Sequence, residues 1–148
     1  MKIGIFDSGL GGLIVAQAIR KAIPQYDYVY LGDTKRVPYG NKSQQTVFKF
    51  SLEMVDYLFR KEDCAIIVVA CNTASARALR KIQQEYMPKY FKDRKIIGVL
   101  IPAAEMASNY NRVGILATSG TVASKTFPIE IKKLNGKTKV FQNPAPML

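Results

Sequence analysis

Residues 65–75 read AIIVVACNTAS, an apolar run followed directly by a cysteine and two polar residues. Unbroken apolarity over so short a run predicts a strand that is buried on both faces, as in a parallel sheet. The stretch that follows, residues 73–87, has the pattern of a helix, and we expect it to stop at Pro88. A buried strand that leads into a helix is the repeating unit of α/β proteins, so this stretch decides the fold class.

The same alternation recurs along the chain. Strands are predicted at residues 2–6, 28–32, 64–70, 96–101, 112–117 and 137–141. Helices are predicted at residues 12–23, 44–60, 73–87 and 102–109, and a further helix after residue 118 is disturbed by Pro128. This order predicts an α/β fold in which helices flank a parallel sheet. We expect one α/β domain at residues 1–95 and part of a second, similar α/β domain at residues 96–148.

Composition narrows the class of protein. The 148 residues are 48% hydrophobic and 22% charged, which is enough apolar material for a folded core. The longest apolar runs are far shorter than the roughly 20 residues that span a bilayer, and the N-terminus turns polar too early for a signal peptide. We therefore expect a cytoplasmic protein with no membrane partner. The closing QNPAPML follows a predicted strand without a covering helix, so we expect the chain to stop inside the second domain.

The chain has no histidine and only two cysteines, Cys64 and Cys71. The lack of histidine excludes Ser-His-Asp and Cys-His nucleophiles and most zinc sites, and we predict no metal. The two cysteines lie at opposite ends of one predicted strand, too far apart for a disulfide. We expect both to be free thiols, as in a reducing compartment.

The net charge of +11 raises the question of a nucleic-acid partner. The basic residues are dispersed over predicted helix faces and turns, and no RRM, KH or zinc-finger signature is present. We therefore expect no nucleic-acid partner. A small anionic substrate would also gain from the positive field.

Polar clusters follow each of the first three predicted strands. They are Asp7-Ser8, the Tyr39-Gly40 turn, and Cys71-Asn72-Thr73. Because ligands of open parallel sheets bind beyond the carboxyl ends of the strands, we expect these clusters to share one site. The DSGLGG segment at residues 7–12 does not match the dinucleotide pattern G-x-G-x-x-G, and Asp7 would repel a phosphate. An amino acid, which carries both an ammonium and a carboxylate, fits better. The glycines also suit a purely structural turn, and Tyr39 also suits a half-buried turn residue.

Cys71 stands at the start of a predicted helix, where the helix dipole favours the thiolate. Asn72 or Thr73 can cap that helix and can also donate to a bound carboxylate. The alternative for Cys71 is an inert core thiol. Thr118 and Thr121 repeat the arrangement after the fifth strand, where they suit either an anion or plain N-capping.

Four segments together resemble the glutamate racemases of the aspartate/glutamate racemase superfamily. They are IGIFDSGLGGL (3–13), LGDTKRVPYG (31–40), VVACNTASA (68–76) and VGILATSGTVAS (113–124). The resemblance implies two similar α/β domains with glutamate between them, often in a homodimer. It implies interconversion of L- and D-glutamate without a cofactor by two cysteines on opposite faces of Cα, with D-glutamate used for bacterial peptidoglycan. It also implies that Cys71 is one catalytic residue and that the substrate-binding residues are Asp7, Ser8, Tyr39, Gly40, Asn72 and Thr73, with Thr118 and Thr121 as neighbours.

The main departure from the family is at the second catalytic cysteine. In glutamate racemases it lies in a later Cys-Thr-His segment, which these 148 residues do not contain. The resemblance therefore covers an N-terminal portion, and we expect the chain alone to be weakly active or inactive. Two other functions remain open: a related amino-acid racemase, and a binding or regulatory remnant without catalysis.

Overall fold

Strands and helices alternate through residues 1–146, the part of the chain that the computed structural model describes. The strands are β1 (Lys2–Asp7), β2 (Asp27–Gly32), β3 (Ile66–Val69), β4 (Lys95–Gly98), β5 (Arg112–Ala117) and β6 (Lys139–Pro144). The helices are α1 (Gly12–Ala22), α2 (Gln44–Arg60), α3 (Asn72–Ala74), α4 (Met87–Tyr90), α5 (Leu100–Ala107), α6 (Ser119–Ser124) and α7 (Thr126–Leu134). Two π-helical segments, Ser75–Leu79 and Ile82–Tyr86, join α3 to α4, so residues 72–90 form one helical stretch.

The strands form two parallel sheets. The first has the order β2-β1-β3-β4, and the second pairs β5 with β6. In the first sheet Ile5 lies between Tyr30 and Val68 in register. The predicted α/β class with parallel sheets is confirmed. The division of the chain after residue 95 stays a prediction, although β4 hydrogen-bonds to β3 inside the first sheet.

Both faces of the first sheet are covered where β1 and β3 run through its centre. Phe6, Ile67 and Val69 pack on one face against α2 and the helical stretch 72–90. Ile3, Ile5, Val68 and Ala70 pack on the other face against apolar residues of α1. This two-sided burial is why the apolar run at 65–70 is unbroken.

The second sheet is covered on one face. Leu100 and Ala104 of α5 pack with Phe127 and Ile131 of α7, and Ile115 and Val140 of the sheet pack against this cluster. On the opposite face Leu116 and Phe141 are exposed. Alternation of this kind is typical of a strand with one buried face.

Three prolines lie inside helices and do not end them. The predicted stop at Pro88 is wrong, because the stretch continues to Tyr90. The Met87 N–H donates to the Ile82 carbonyl, and Pro88, which has no N–H, falls in the first turn of α4. Pro102 lies in the first turn of α5, as expected. The interruption after residue 118 is at Lys125, whose backbone is left-handed (φ 55°), and Pro128 is in the first turn of α7.

Several predicted boundaries shift by a few residues. Helix α5 begins at Leu100, which the sequence pattern assigned to a strand, and β6 runs to Pro144 rather than residue 141. Helix α2 begins where predicted, since the Ser43 side chain accepts from the Thr46 N–H and caps it. Within residues 1–146 no helix has the length and apolarity needed to cross a bilayer.

The strength of the first core can be tested with one pair of substitutions. Ile67→Ala removes a fully buried side chain from β3 and should lower the free energy of unfolding by about 2–5 kcal/mol. Ile97→Ala on β4 is the matched control: Ile97 is 53% exposed, so the loss should be about 1 kcal/mol or less. Urea unfolding followed by circular dichroism measures both. Equal losses would contradict the packing described above.

Candidate active site

A cavity of about 670 Å³ opens at the carboxyl edge of the first sheet, between this edge and the loop from β5 to α6. Every residue singled out from the sequence lines it: Asp7, Ser8, Tyr39, Gly40, Cys71, Asn72, Thr73, Thr118 and Thr121. The structure thus brings the predicted clusters together around one space. What each of them does there stays a prediction.

Asp7 ends β1 and organises the glycine-rich turn that follows. Its Oδ2 accepts from the Gly9 N–H at 3.0 Å and from the Gly12 N–H at 3.1 Å. A Cβ on Gly12 would lie 2.6 Å from the Asp7 Cβ, so the close approach requires glycine. The Tyr30 hydroxyl donates to the Gly9 carbonyl at 2.9 Å, and burial together with the Asp7 charge raises the pKa of Tyr30 to about 12. Asp7 is therefore held in place at the cavity floor.

Cys71 links β3 to the helical stretch 72–90 and caps it. The Ala74 N–H donates to the Cys71 Sγ at 3.4 Å, so the predicted capping by Asn72 or Thr73 is wrong. The thiol donates to the Ser8 Oγ at 3.2 Å. Cys71 is 6% exposed and lines the cavity. Neither cysteine forms a disulfide, as expected.

The protonation of Cys71 is set by opposing influences. Burial has the largest effect and raises the pKa of the thiol, and the Asp7 charge raises it further. Ser8 and the Ala74 N–H lower the pKa because both can donate hydrogen bonds to the thiolate: the Ser8 hydroxyl, which accepts from the neutral thiol, can turn its own proton toward the ionised sulfur. The net pKa lies above the ordinary value. The N–H at the start of the helix favours the thiolate, as the sequence predicts, but desolvation of the sulfur outweighs this effect.

Tyr39 is buried in the core and does not offer its hydroxyl to the cavity. It is 1% exposed, and its ring packs against Phe6 and Phe50. The hydroxyl donates to Asp33 Oδ2 at 2.5 Å. Burial and Asp33 both raise the pKa of Tyr39 well above its ordinary value. The expectation of a half-buried turn tyrosine is therefore wrong, and Asp33 was missed because it stands in a polar, turn-like segment.

Gly40 joins the turn to the second sheet through its backbone. The Gly120 N–H donates to the Gly40 carbonyl at 2.8 Å. A Cβ on Gly40 would lie 2.7 Å from the Thr118 Cβ, so this approach also requires glycine. The turn after β2 is therefore in direct contact with the start of α6.

Three threonine hydroxyls meet where the two walls of the cavity join: Thr73 follows Cys71 at the edge of the first sheet, and Thr118 and Thr121 belong to the start of α6 on the opposite wall. Thr73 Oγ1 lies 2.9 Å from Thr118 Oγ1, which lies 3.0 Å from Thr121 Oγ1. Thr118 also caps α6, since its Oγ1 accepts from the Thr121 N–H at 3.3 Å. The hydroxyls can redirect their protons, so the cluster can donate to an anionic group while still capping α6.

Charge in the cavity contrasts with charge on the whole chain. Among the described residues that line it, Asp7 is the one carboxylate and there is no lysine or arginine. Arg36 instead pairs with Asp33 and Glu53. A positive ligand group would meet Asp7, and a negative one would meet hydroxyls and backbone N–H groups. Residues 1–146 hold no cluster of three or more histidine, cysteine, aspartate or glutamate side chains placed to bind a metal ion.

The cavity mouth is apolar, a feature that sequence reasoning missed. Leu10, Ile14 and Leu116 line it while being 66%, 76% and 65% exposed, and Val37 is also exposed there. Exposed apolar side chains around a cavity with a few polar groups are typical of a ligand-binding groove or an interaction surface.

Sequence comparison finds relatives along almost the whole chain. No protein-family model matches it. A glutamate racemase of Geobacter metallireducens is 44% identical over 148 residues, which cover 98% of this chain and 52% of that protein.

Structural comparison gives the same family. The glutamate racemase structure from Aquifex pyrophilus aligns with a TM-score of 0.88 and 40% identity, covering all of this chain and 56% of that one. The Francisella tularensis glutamate racemase in complex with D-glutamate aligns with a TM-score of 0.86 and 36% identity, covering 97% of this chain and 52% of that one. The chain thus spans about half the length of the relatives it matches.

The opposing influences on Cys71 predict opposite effects of two neighbouring substitutions. In a Cys64→Ala background, Asp7→Asn should lower the Cys71 pKa because it removes a nearby negative charge. Ser8→Ala should raise it, because the Ser8 hydroxyl is then no longer present to donate a hydrogen bond to the thiolate. The pH dependence of alkylation by iodoacetamide gives each pKa, and the urea-unfolded chain serves as the reference. Shifts in the same direction would contradict this account of the site.

Proposed function

Because the chain is homologous to glutamate racemases over about half of their length, we propose that it carries the part of a glutamate racemase site that binds the amino acid and supplies one catalytic thiol. The observation that carries the proposal is the position of Cys71: its Sγ lies at the cavity floor, beside Ser8 and near Asp7. The proposed reaction class is amino-acid racemisation without a cofactor.

The polarity of the cavity supports glutamate as the ligand. The ligand ammonium faces Asp7, and Ser8 lies beside it. The carboxylates face Asn72 and the hydroxyls of Thr73, Thr118 and Thr121, with the backbone of the Tyr39-Gly40 turn completing the wall. The Francisella relative, whose structure contains D-glutamate, supports this choice. Since Tyr39 is buried, its part in binding is through the backbone and not through the hydroxyl.

The proposed chemical step is removal of the Cα proton by Cys71. The thiolate sulfur takes the proton, the C–H electron pair stays on Cα, and a proton then returns from a thiol to give neutral Cα again. Burial opposes the thiolate in the empty site. A ligand ammonium near the sulfur favours it, because an opposite charge within a few ångströms lowers a thiol pKa.

One thiol serves only one face of Cα. Cys64, the other cysteine of the chain, lies before β3 at the opposite end of that strand and does not line the cavity. The resemblance places the second catalytic cysteine in a segment that these 148 residues do not contain. Loss of an acid–base group costs about 10²–10⁴-fold, so we propose that racemisation by this chain alone is weak or absent.

The wider role is proposed from the family. D-glutamate would serve peptidoglycan synthesis in the cytoplasm, and a homodimer is the proposed assembly. Residues 1–95 and 96–148 are proposed as a first domain and part of a second. Because β4 pairs with β3, we place the end of the first sheet at Gly98, the last residue of β4.

Proton exchange at Cα tests the proposed step directly. The chain is incubated in D₂O with L-glutamate or D-glutamate, and NMR follows loss of the Cα proton signal. We expect exchange of at least one enantiomer with retention of its configuration, because Cys71 can remove a proton and return deuterium on the same face. A chiral assay of the same samples measures inversion, which should be far slower than exchange.

Two serine variants make the test specific. Cys71→Ser should abolish exchange, since a serine hydroxyl is a much weaker acid than a thiol. Cys64→Ser should leave exchange intact, because Cys64 lies away from the cavity. No exchange with either enantiomer by the folded wild-type chain would overturn the proposal and favour a binding or regulatory remnant.

A further inference from the structure

Asp33 connects three parts of the first domain although it lies outside the cavity. Its backbone N–H donates to the Asp7 carbonyl at 2.9 Å, at the end of β1. Its Oδ2 accepts from the Arg36 Nε at 2.7 Å and from the Tyr39 hydroxyl at 2.5 Å. Asp33 is itself buried. Charge-assisted hydrogen bonds in such a setting hold their partners more firmly than neutral ones.

Tyr39 carries this constraint to the cavity wall. Its ring is fixed in the core between Phe6 and Phe50, and its hydroxyl is fixed by Asp33. The next residue, Gly40, accepts from the Gly120 N–H and lies directly against Thr118. The position of the Tyr39 ring therefore sets where the start of α6 can sit.

Arg77 holds the far end of the same turn. Its Nη1 donates to the Lys42 carbonyl at 2.6 Å. A Cβ on Gly120 would lie 2.5 Å from Arg77 Nη1 and 2.8 Å from the Gly40 carbonyl oxygen. Gly120 is therefore seated in a close-fitting space that the turn and Arg77 form together.

We infer that Asp33 and Tyr39 are positioning residues, which hold the Gly40 carbonyl so that it fixes Gly120 and, with it, Thr118 across the cavity from Cys71. The other contacts between the two walls run through the helical stretch 72–90: Thr73 with Thr118, the Ala76 carbonyl with Thr126, and Arg80 with Glu130. The turn at residues 33–42 is a second support, and Arg77 connects it to that helical stretch. The expected effect of this turn on glutamate affinity rests on the proposed function, whereas its effect on the position of Gly120 is independent of that function.

Removal of one hydroxyl tests the inference. Tyr39→Phe keeps the ring and deletes the bond to Asp33. Tyr28→Phe is the matched control, since Tyr28 donates to the Ile23 carbonyl at 2.6 Å and does not line the cavity. Amide hydrogen exchange, read by NMR, reports on the Gly120 N–H and on the amides of β3.

We expect Tyr39→Phe to speed exchange of the Gly120 amide by about tenfold or more, the factor that loss of a hydrogen bond to a charged group brings. The amides of β3 should keep their protection. Tyr28→Phe should leave Gly120 unchanged. Asp33→Asn keeps an acceptor for the hydroxyl and should have a smaller effect than Tyr39→Phe.

Glutamate affinity, measured by NMR titration of the same variants, completes the test. Tyr39→Phe should weaken glutamate affinity about tenfold, because the hydrogen bond from the Tyr39 hydroxyl to the Asp33 carboxylate is lost. Tyr28→Phe should leave glutamate affinity unchanged. Unchanged Gly120 exchange in Tyr39→Phe, or an equal rise at Gly120 and in β3, would overturn the positioning role. If the wild-type chain binds no glutamate, the proposed function fails while the Gly120 result still decides this inference.

Discussion

The parallel register of β1, β2 and β3 is the constraint on which the site depends. Asp7 pairs with Gly32, and Phe6 with Val69, so the three strands end side by side. The central strands are apolar on both faces, and polar side chains find room only where the strands stop. The Asp7 turn, the turn that begins at Asp33 and the Cys71 cap therefore share one edge of the sheet, and helices that start there present N–H groups to the same space.

Burial at this edge has a cost for Cys71. The same packing that fixes the sulfur beside Ser8 and the Ala74 N–H also removes it from water, and the thiol stays protonated more firmly than a free cysteine. A cationic group close to the sulfur would lower the pKa of this thiol, because an opposite charge favours the thiolate.

Much of this was accessible from the sequence, and the failures have physical causes. Alternating apolar and amphipathic segments predicted the strands and helices, and the polar residues at the strand ends predicted which residues line the cavity. The raised pKa of Cys71 could not be predicted from the sequence, because desolvation depends on which atoms pack around the sulfur in the folded chain. Asp33 looked like a surface turn residue until the burial of Tyr39 gave it a partner. Pro88 and Pro128 looked like helix breakers, but the chain places each in the first turn of a helical segment, where proline is tolerated.

The two walls of the cavity differ in chemistry, and the difference orients a ligand. One wall holds the carboxylate of Asp7 and the thiol of Cys71, and the other holds the hydroxyls of Thr118 and Thr121, which Thr73 contacts from the first wall. An α-amino acid that places its ammonium at the first wall and its carboxylate at the second must carry its Cα between them. The sulfur, held beside Ser8, is then on one side of that carbon. A shift of the threonine wall would move the carboxylate and turn Cα away from the sulfur, so the support of that wall by the Tyr39-Gly40 turn bears on the chemistry as well as on binding.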